Sequence, residues 1–364
     1  MSTRKHLRRS LTGVSIALAV LSAGAGQALA QFCFGEPENL GPVVNSSYWE
    51  GGPNISADGL TLFFASFRPG GEGGDDLWMT TRTSVSSPWG PPVNLGPTVN
   101  SSAHETAPSI SAEGLTLFFQ SSRSGGFGSW DLWMTTRASL SDPWRSPVNL
   151  GPTVNTSSGD TVPDISADGL TLFFASDRPG GEGGNDLWMT TRASVASPWE
   201  PPVNLGPTVN SSDGDGGPGI SADGLTLFFA SGRPGGEGGG DLWMTTRASL
   251  SDPWQPPVNL GPTVNTSSGE GVPDISADGL TLFFGSNRPG GFGNQDLWQV
   301  AVTPTCPGDL DCDGDVDLAD LAQLLGNYGT TSGAEYEDGD LDADGDVDLT
   351  DLAGLLAVYG TTCP

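Results

Sequence analysis

The sequence predicts a mainly β protein, a five-bladed β-propeller closed by its N-terminal strand, with a small α-helical unit after it. Three observations carry this reading. A 55-residue unit recurs five times without insertion or deletion, marked by Ile-Ser-Ala-Asp/Glu-Gly at Ile55, Ile110, Ile165, Ile220 and Ile275 and by Asp-Leu-Trp at Asp76, Asp131, Asp186, Asp241 and Asp296. A period this constant signals one structural unit stacked on itself. Asn-Leu-Gly-Pro starts at Asn39, Asn94, Asn149, Asn204 and Asn259, so its first copy precedes the first Ile-Ser-Ala and none follows the last Asp-Leu-Trp. Such a circular permutation is what a ring closed by its own N-terminus requires. After Pro304 the pattern changes to two near copies, Asp309 to Gly329 and Asp340 to Gly360, each an acidic loop leading into a short apolar helix.

The chain therefore divides into residues 1–30, 31–303 and 304–364. The first part carries Arg4, Lys5, Arg8 and Arg9, an apolar run from Leu11 to about Leu21, and then Ala28-Leu29-Ala30. That is the order of a secretory signal peptide with its cleavage site. No other stretch approaches the length needed to span a bilayer. The mature chain is expected to be exported, to the extracellular space, the cell surface or the periplasm, with no membrane insertion. Removing the signal leaves ten basic residues, all arginine, against 43 acidic ones. Nucleic acid and anionic membrane are poor partners for such a charge, because their phosphates are repelled.

Within each 55-residue unit, four short segments have strand character and are separated by Gly, Pro and Ser clusters. In the third copy they are residues 163–166, 170–176, 186–192 and 202–205. Ala167-Asp168-Gly169 supplies the tight turn between the first two, since Asp-Gly tolerates the positive φ of a hairpin. Four-stranded units of this length with Gly and Trp punctuation read as propeller blades. The fifth unit stops after Asp296-Leu297-Trp298 without an outer strand, and Asn39-Leu40-Gly41 is an outer strand without a blade, so each completes the other. Four cysteines in an exported chain read as two disulfides with three possible connectivities. Shifted by whole periods, Cys306 falls on Ser86 and Cys33 on Pro88, which places Cys33 with Cys306 at the closure and leaves Cys312 to pair with Cys363.

Ile165 to Gly181, reading Ile-Ser-Ala-Asp-Gly-Leu-Thr-Leu-Phe-Phe-Ala-Ser-Asp-Arg-Pro-Gly-Gly, together with Asp186-Leu187-Trp188, resembles the WD-like (PD40-type) repeats of TolB and related exported propellers. The resemblance covers roughly residues 36–302 and implies a fold. TolB itself has six blades and an extra domain, so the five-fold chain inherits no partner from it.

The C-terminal copies each begin Asp-x-Asp-x-Asp-Gly-Asp-Val-Asp-x-x-Asp. Asp309, Asp311 and Asp313 stand at loop positions 1, 3 and 5 with Gly314 at 6, the pattern in which alternate side-chain oxygens converge on calcium around a sharp turn. Asp315 would add its backbone carbonyl, Asp317 a direct or water-mediated oxygen, and Asp320 the closing carboxylate. Asp340, Asp342, Asp344, Asp346, Asp348 and Asp351 take the same roles in the second loop. Two Ca2+ sites are expected, because six or seven oxygens on a flexible loop suit calcium better than magnesium. Residues 304–364 hold fifteen acidic residues and no basic one, so metal binding and folding are expected to be coupled.

This duplicated motif, over Cys306 to Tyr359, resembles a type I dockerin, the module by which secreted polysaccharide-degrading enzymes attach to cohesin scaffolds. The resemblance implies a tandem EF-hand-like calcium domain, a cohesin-like partner and a place in extracellular polysaccharide catabolism. It departs at loop positions 10 and 11, where hydroxyl residues are usual in dockerins and this chain has Leu318-Ala319 and Leu349-Thr350.

Most acidic residues of the propeller recur by symmetry. Asp58, Glu113, Asp168, Asp223 and Asp278 belong to the hairpin turns, and the Asp of each Asp-Leu-Trp is expected to pair with backbone or with the repeated Arg. Glu50, Glu105, Asp160, Asp215 and Glu270, five residues before each Ile, are candidates for a ligand ring at one mouth of the channel, for a cation or sugar hydroxyls; the alternative is a carboxylate capping turn amides in its own blade. Equivalent carboxylates do not split into the acid and base that glycoside hydrolysis needs. Tyr48, Trp49, His104, Trp130 and Arg145 break the symmetry, and the first two, beside Glu50, suit a glycan. No Ser-His-Asp triad or zinc site is supported. The sequence thus predicts a secreted, non-catalytic binding and assembly protein without catalytic residues. A glycoside hydrolase using the propeller cleft and a purely structural surface repeat protein are the alternatives.

Overall fold

The computed structural model describes residues 32–304, 308–334, 338–341 and 345–363. The proposed signal peptide, Cys306, Asp342 and Asp344 lie outside these described residues. Five antiparallel sheets form the blades of a propeller. In the third blade the strands run from the axis outward as Asp160–Ile165, Thr171–Ser176, Asp186–Thr191 and Val203–Asn204. The inner strand thus begins at Asp160, three residues before the stretch with obvious strand character. Pro163 and a β-bulge between Thr161 and Asp164 interrupt its pattern. Ser166 to Gly169 form the predicted hairpin turn, with Gly169 at φ +70° and Asp168 Oδ1 accepting from Ser166 Oγ and the Leu170 amide.

The second strand of each blade carries a continuous apolar run, Leu-Phe-Phe, because both of its faces are covered by neighbouring blades. Leu62 and Phe64 pack with Phe283 and Leu297 of the fifth blade, whereas Phe63 and Ala65 pack with Ile110, Leu117 and Phe119 of the second. Five inter-blade cores of this kind lie around the ring. All ten of these phenylalanines are essentially buried, each contributing on the order of 2–3 kcal/mol of hydrophobic stabilisation.

Closure follows the permuted sequence. In the fifth blade Glu270–Ile275 and Thr281–Ser286 precede a long strand, Asp296–Pro304. Two N-terminal strands pair along it: Glu38–Asn39 opposite Gln299 and Trp298, and Phe32–Phe34 opposite residues 304 to 302. Elsewhere blades are joined by an asparagine that chelates the next-to-last strand of the preceding blade, as Asn100 does with the amide and carbonyl of Leu77. Asn45 makes the same two bonds to Leu297, 2.8 and 3.0 Å, and so joins the last blade to the first.

The C-terminal unit has two ten-residue helices, Leu318–Asn327 and Leu349–Val358. Each starts with a capping box, in which Asp317 or Asp348 caps and Asp320 or Asp351 reaches back to the cap amide. Val316 exchanges backbone hydrogen bonds with Gly360 and Thr361, and Val347 with Gly329 and Thr330, so each acidic loop is tied to the end of the other copy's helix. Leu310, Val316, Leu324, Val347 and Leu355 form the small core between them.

The disulfide connectivity differs from the expectation. Cys33 is bonded to Cys312, not to Cys306, and Cys312 is therefore not paired with Cys363. Cys363 is itself disulfide-bonded. The period argument fails because the last Asp-Leu-Trp strand does not turn after six residues as the others do. It runs straight to Pro304 against Phe32–Phe34, which sets Cys33 opposite Thr303 and carries the chain past it.

Candidate functional site

Glu50, Glu105, Asp160, Asp215 and Glu270 do not offer a free ring of carboxylates to a ligand. Each is the first residue of an inner strand, with a buried side chain, and each forms an ion pair with the arginine eighteen positions on in its own blade: Arg68, Arg123, Arg178, Arg233 and Arg288. In the second blade Glu105 Oε1 lies 2.9 Å from Arg123 Nη2 and also accepts from Ser101 and Ser121 hydroxyls, while Oε2 accepts the Ser101 amide. Arg123 in turn donates to Val99 O and stacks on Phe119 and Trp133, 5.2 Å from each ring centroid. The group therefore clamps its own loop, as the capping alternative held. The signal was present in the sequence as the second 55-residue series of arginines.

Because the arginine is taken by this carboxylate, the aspartate of Asp-Leu-Trp pairs with the loop and not with Arg. Asp76 Oδ2 accepts the Glu72 amide and the Asn94 carboxamide, and burial pushes its carboxyl up. The symmetry-breaking residues lie at two seams between blades. Tyr48, packed edge-on to Phe67, and Trp49 stand at the closing seam, where Tyr48 O accepts the Asn294 amide. At the next seam His104 Nδ1 lies 2.9 Å from Asp75 Oδ2, with Trp130 6.0 Å away. Arg145 is an exposed residue whose backbone pairs with the third strand of its blade.

A symmetry-breaking column overlooked in the sequence lies on the axis. Asn54, Ser109, Asp164, Gly219 and Asp274 precede the five isoleucines. Asn54, Asp164 and Asp274 line a cavity of about 60 Å³ whose walls are isoleucines and alanines at the C-terminal ends of the inner strands. This volume holds a few waters. The amides of Ile110, Ile165, Ile220 and Ile55 donate across the blade boundary to Asn54 Oδ1 (2.8 Å), Ser109 Oγ (3.0 Å), Asp164 Oδ2 (2.7 Å) and Asp274 Oδ2 (2.6 Å) respectively. Burial pushes the Asp164 carboxyl up to about 7. Asp274 is raised well above the ordinary range by burial and then by the charge of Asp164.

In the C-terminal unit, the carboxylates of Asp309, Asp311 and Asp313 converge so that one oxygen of each lies within 4.8 Å of the others; Asp315, Asp317 and Asp320 form a second such group, and Asp346, Asp348 and Asp351 a third. Asp320 Oδ1 accepts the amides of Leu310 and Asp311, and Oδ2 accepts that of Asp317, with the equivalent bonds at Asp351 from Leu341 and Asp348. Asp340, 4 % exposed, accepts the Gly345 amide. The residues fit a hard divalent cation: Asp309 is 2 % exposed and its Oδ1 has no hydrogen-bond partner. A buried carboxylate oxygen without a donor is costly unless a cation meets it.

The fold defines the class: a five-bladed β-propeller. Among solved structures, the protein is similar to TolB from Acinetobacter baumannii, with 12 % identity, a TM-score of 0.44, and 75 % of this protein and 64 % of that one covered. It is similar to the α-L-arabinofuranosidase PaAbf62A from Podospora anserina in complex with cellotriose, with 14 % identity, a TM-score of 0.48, and 76 % and 98 % covered. Similarity to the BT0996 RGII complex reaches a TM-score of 0.52 at 8 % identity, with 75 % and 92 % covered. At these identities the likeness concerns the fold alone. No protein-family model and no curated protein matches the sequence. No helix among the described residues is long and apolar enough to cross a membrane.

Proposed function

We propose that this protein is an exported, non-catalytic assembly protein in which the propeller is a recognition scaffold and the C-terminal unit is a calcium-dependent docking module. The observation that carries the docking reading is a stripe of apolar side chains repeated on the two helices: Leu318, Leu325 and Tyr328 on one, Leu349, Leu356 and Tyr359 on the other. Their exposure runs from 44 % at Tyr359 to 66 % at Leu318 and Leu349. Residues that a sixty-residue unit could use for its core are instead presented outward, twice, and such repeated apolar exposure marks a protein-binding surface. Loop positions 10, where the resemblance to dockerins departs, are the most exposed members of the stripe.

Asp309, Asp311, Asp313, Asp315, Asp317 and Asp320 would hold one calcium, and Asp340, Asp346, Asp348 and Asp351 the second, with Asp342 and Asp344 completing its ligand set. The ion supplies the positive charge around which these carboxylates fold. Export is supported by the disulfide, which persists in oxidising compartments, and by the N-terminal signal pattern. The experiment is a calorimetric titration of the full chain with Ca2+, followed by addition of a cohesin-like protein. Two ions are expected for the wild type and one for Asp309→Asn/Asp311→Asn. Cohesin binding is expected to disappear in Leu318→Ala/Leu325→Ala/Leu349→Ala/Leu356→Ala while two ions still bind. A wild-type protein that takes up no calcium would sink the reading.

A further inference from the structure

The axial column sets two buried carboxylates, Asp164 and Asp274, toward one cavity with no basic partner among the described residues. Asp164 and Asp274 line the same cavity as Asn54, whose carboxamide donates to Asp164 Oδ1 at 3.3 Å. Asp164 Oδ1 also accepts from Ser109 Oγ at 2.9 Å. The neighbouring elements supply no charge at this level. The other inner strands bring Asn54, Ser109 and Gly219, and the second strands place Phe63, Phe118, Phe173, Phe228 and Phe283 opposite the column. Isoleucines and alanines make the cavity wall, and the five repeated arginines are held by carboxylates at the far ends of the inner strands. Two ionised carboxylates facing one small cavity repel each other, and burial penalises both.

We propose that Asp164 and Asp274 hold one proton between them on the propeller axis at neutral pH, and that the inter-blade ring these two residues stitch loses stability as pH rises from acid to neutral, where the unfolded chain has already given that proton up. The hydrogen-bonding role survives protonation, because each carboxyl keeps an oxygen for the isoleucine amide. Asn54 shows within the same ring that a neutral side chain serves, accepting the Ile110 amide at 2.8 Å. The raised carboxyls of both residues agree with this. The sign follows from linkage: the folded protein binds a proton that the unfolded chain has lost. The pair therefore costs nothing below about pH 4, and its cost grows as pH rises to the folded-state value, about tenfold in the folding constant per pH unit.

The test is thermal and denaturant unfolding of the full chain from about pH 4 to about pH 9 at fixed calcium, for the wild type, Asp164→Asn and Asp274→Asn. Relative to the wild type, both variants are expected to gain stability as pH rises, by about tenfold in the folding constant for each pH unit between about 4 and 7. Parallel profiles for all three proteins would overturn the proposal. Infrared difference spectra at neutral pH supply an independent readout if one variant does not fold. A protonated carboxyl band in the wild type that changes position in the folding variant, where the carboxyl has lost its partner, is expected; only ionised carboxylate bands in the wild type, as a bound metal cation would leave, overturn it.

Discussion

The repeated carboxylate–arginine pair shows how a single side chain decides the geometry of a blade. Glu105 is fully buried, so its charge is tolerable only because Arg123, two hydroxyls and a backbone amide satisfy it. Removing one member strands the other in a dry site. Arg123→Met is therefore expected to destabilise the propeller by about 3–5 kcal/mol, measured by denaturant unfolding, whereas Glu105→Gln/Arg123→Met should recover part of that loss. The periodicity of these residues was legible in the sequence, but their burial was not: a carboxylate every 55 residues describes an exposed ring as well as an internal clamp. What distinguishes the two is where the arginine guanidinium lands, and that depends on the path of the loop between them.

Strands carry the next level of information. The inner strand of every blade bulges at one position, occupied by Gly52, Ala107, Val162, Gly217 and Val272, all at positive φ between 46° and 62°. Positive φ in a β-branched residue is strained by roughly 1–3 kcal/mol, and the adjacent blade packs close there: a Cβ on Gly52 would come 3.0 Å from the Ala107 Cα. The bulge offsets the register by which residues 54, 109, 164, 219 and 274 meet the axis. Val162→Gly is expected to keep the fold and raise stability by about 1 kcal/mol, read as a higher denaturation midpoint, although Val→Gly in an ordinary strand is destabilising. Hairpin turns, blade strands and the two C-terminal helices were all legible, because Asp-Gly, Leu-Phe-Phe and the apolar run after each acidic loop are local signals; that Asp317 and Asp348 also cap those helices came only with the structure. The true start of the inner strand was hidden, because Pro163 and the bulge break the alternation that marks a strand.

For the whole molecule, the decisive connection is the Cys33–Cys312 disulfide. It ties the strand that closes the propeller to the fourth position of the first acidic loop, across a sequence separation of 279 residues. A loop of that size lowers the entropy of the unfolded chain by an amount worth about 5 kcal/mol in the chain-entropy model. Cys33→Ser/Cys312→Ser is expected to lower the unfolding midpoint and to free the closing strand Phe32–Phe34, seen as faster exchange of the Gly35 amide, which donates to Ala301 O, while the remaining blades keep their protection.

The sequence by itself determined the number of blades, the permuted closure and the presence of two acidic loops leading into helices. These are set by period and by local backbone preference, which act on neighbouring residues and survive in a linear reading. The tertiary structure alone decided which carboxylates face an arginine and which face each other on the axis, and which cysteines meet. Those outcomes depend on distances between segments far apart in the chain, and a small departure from the repeat, such as the longer last strand, changes them without altering the period.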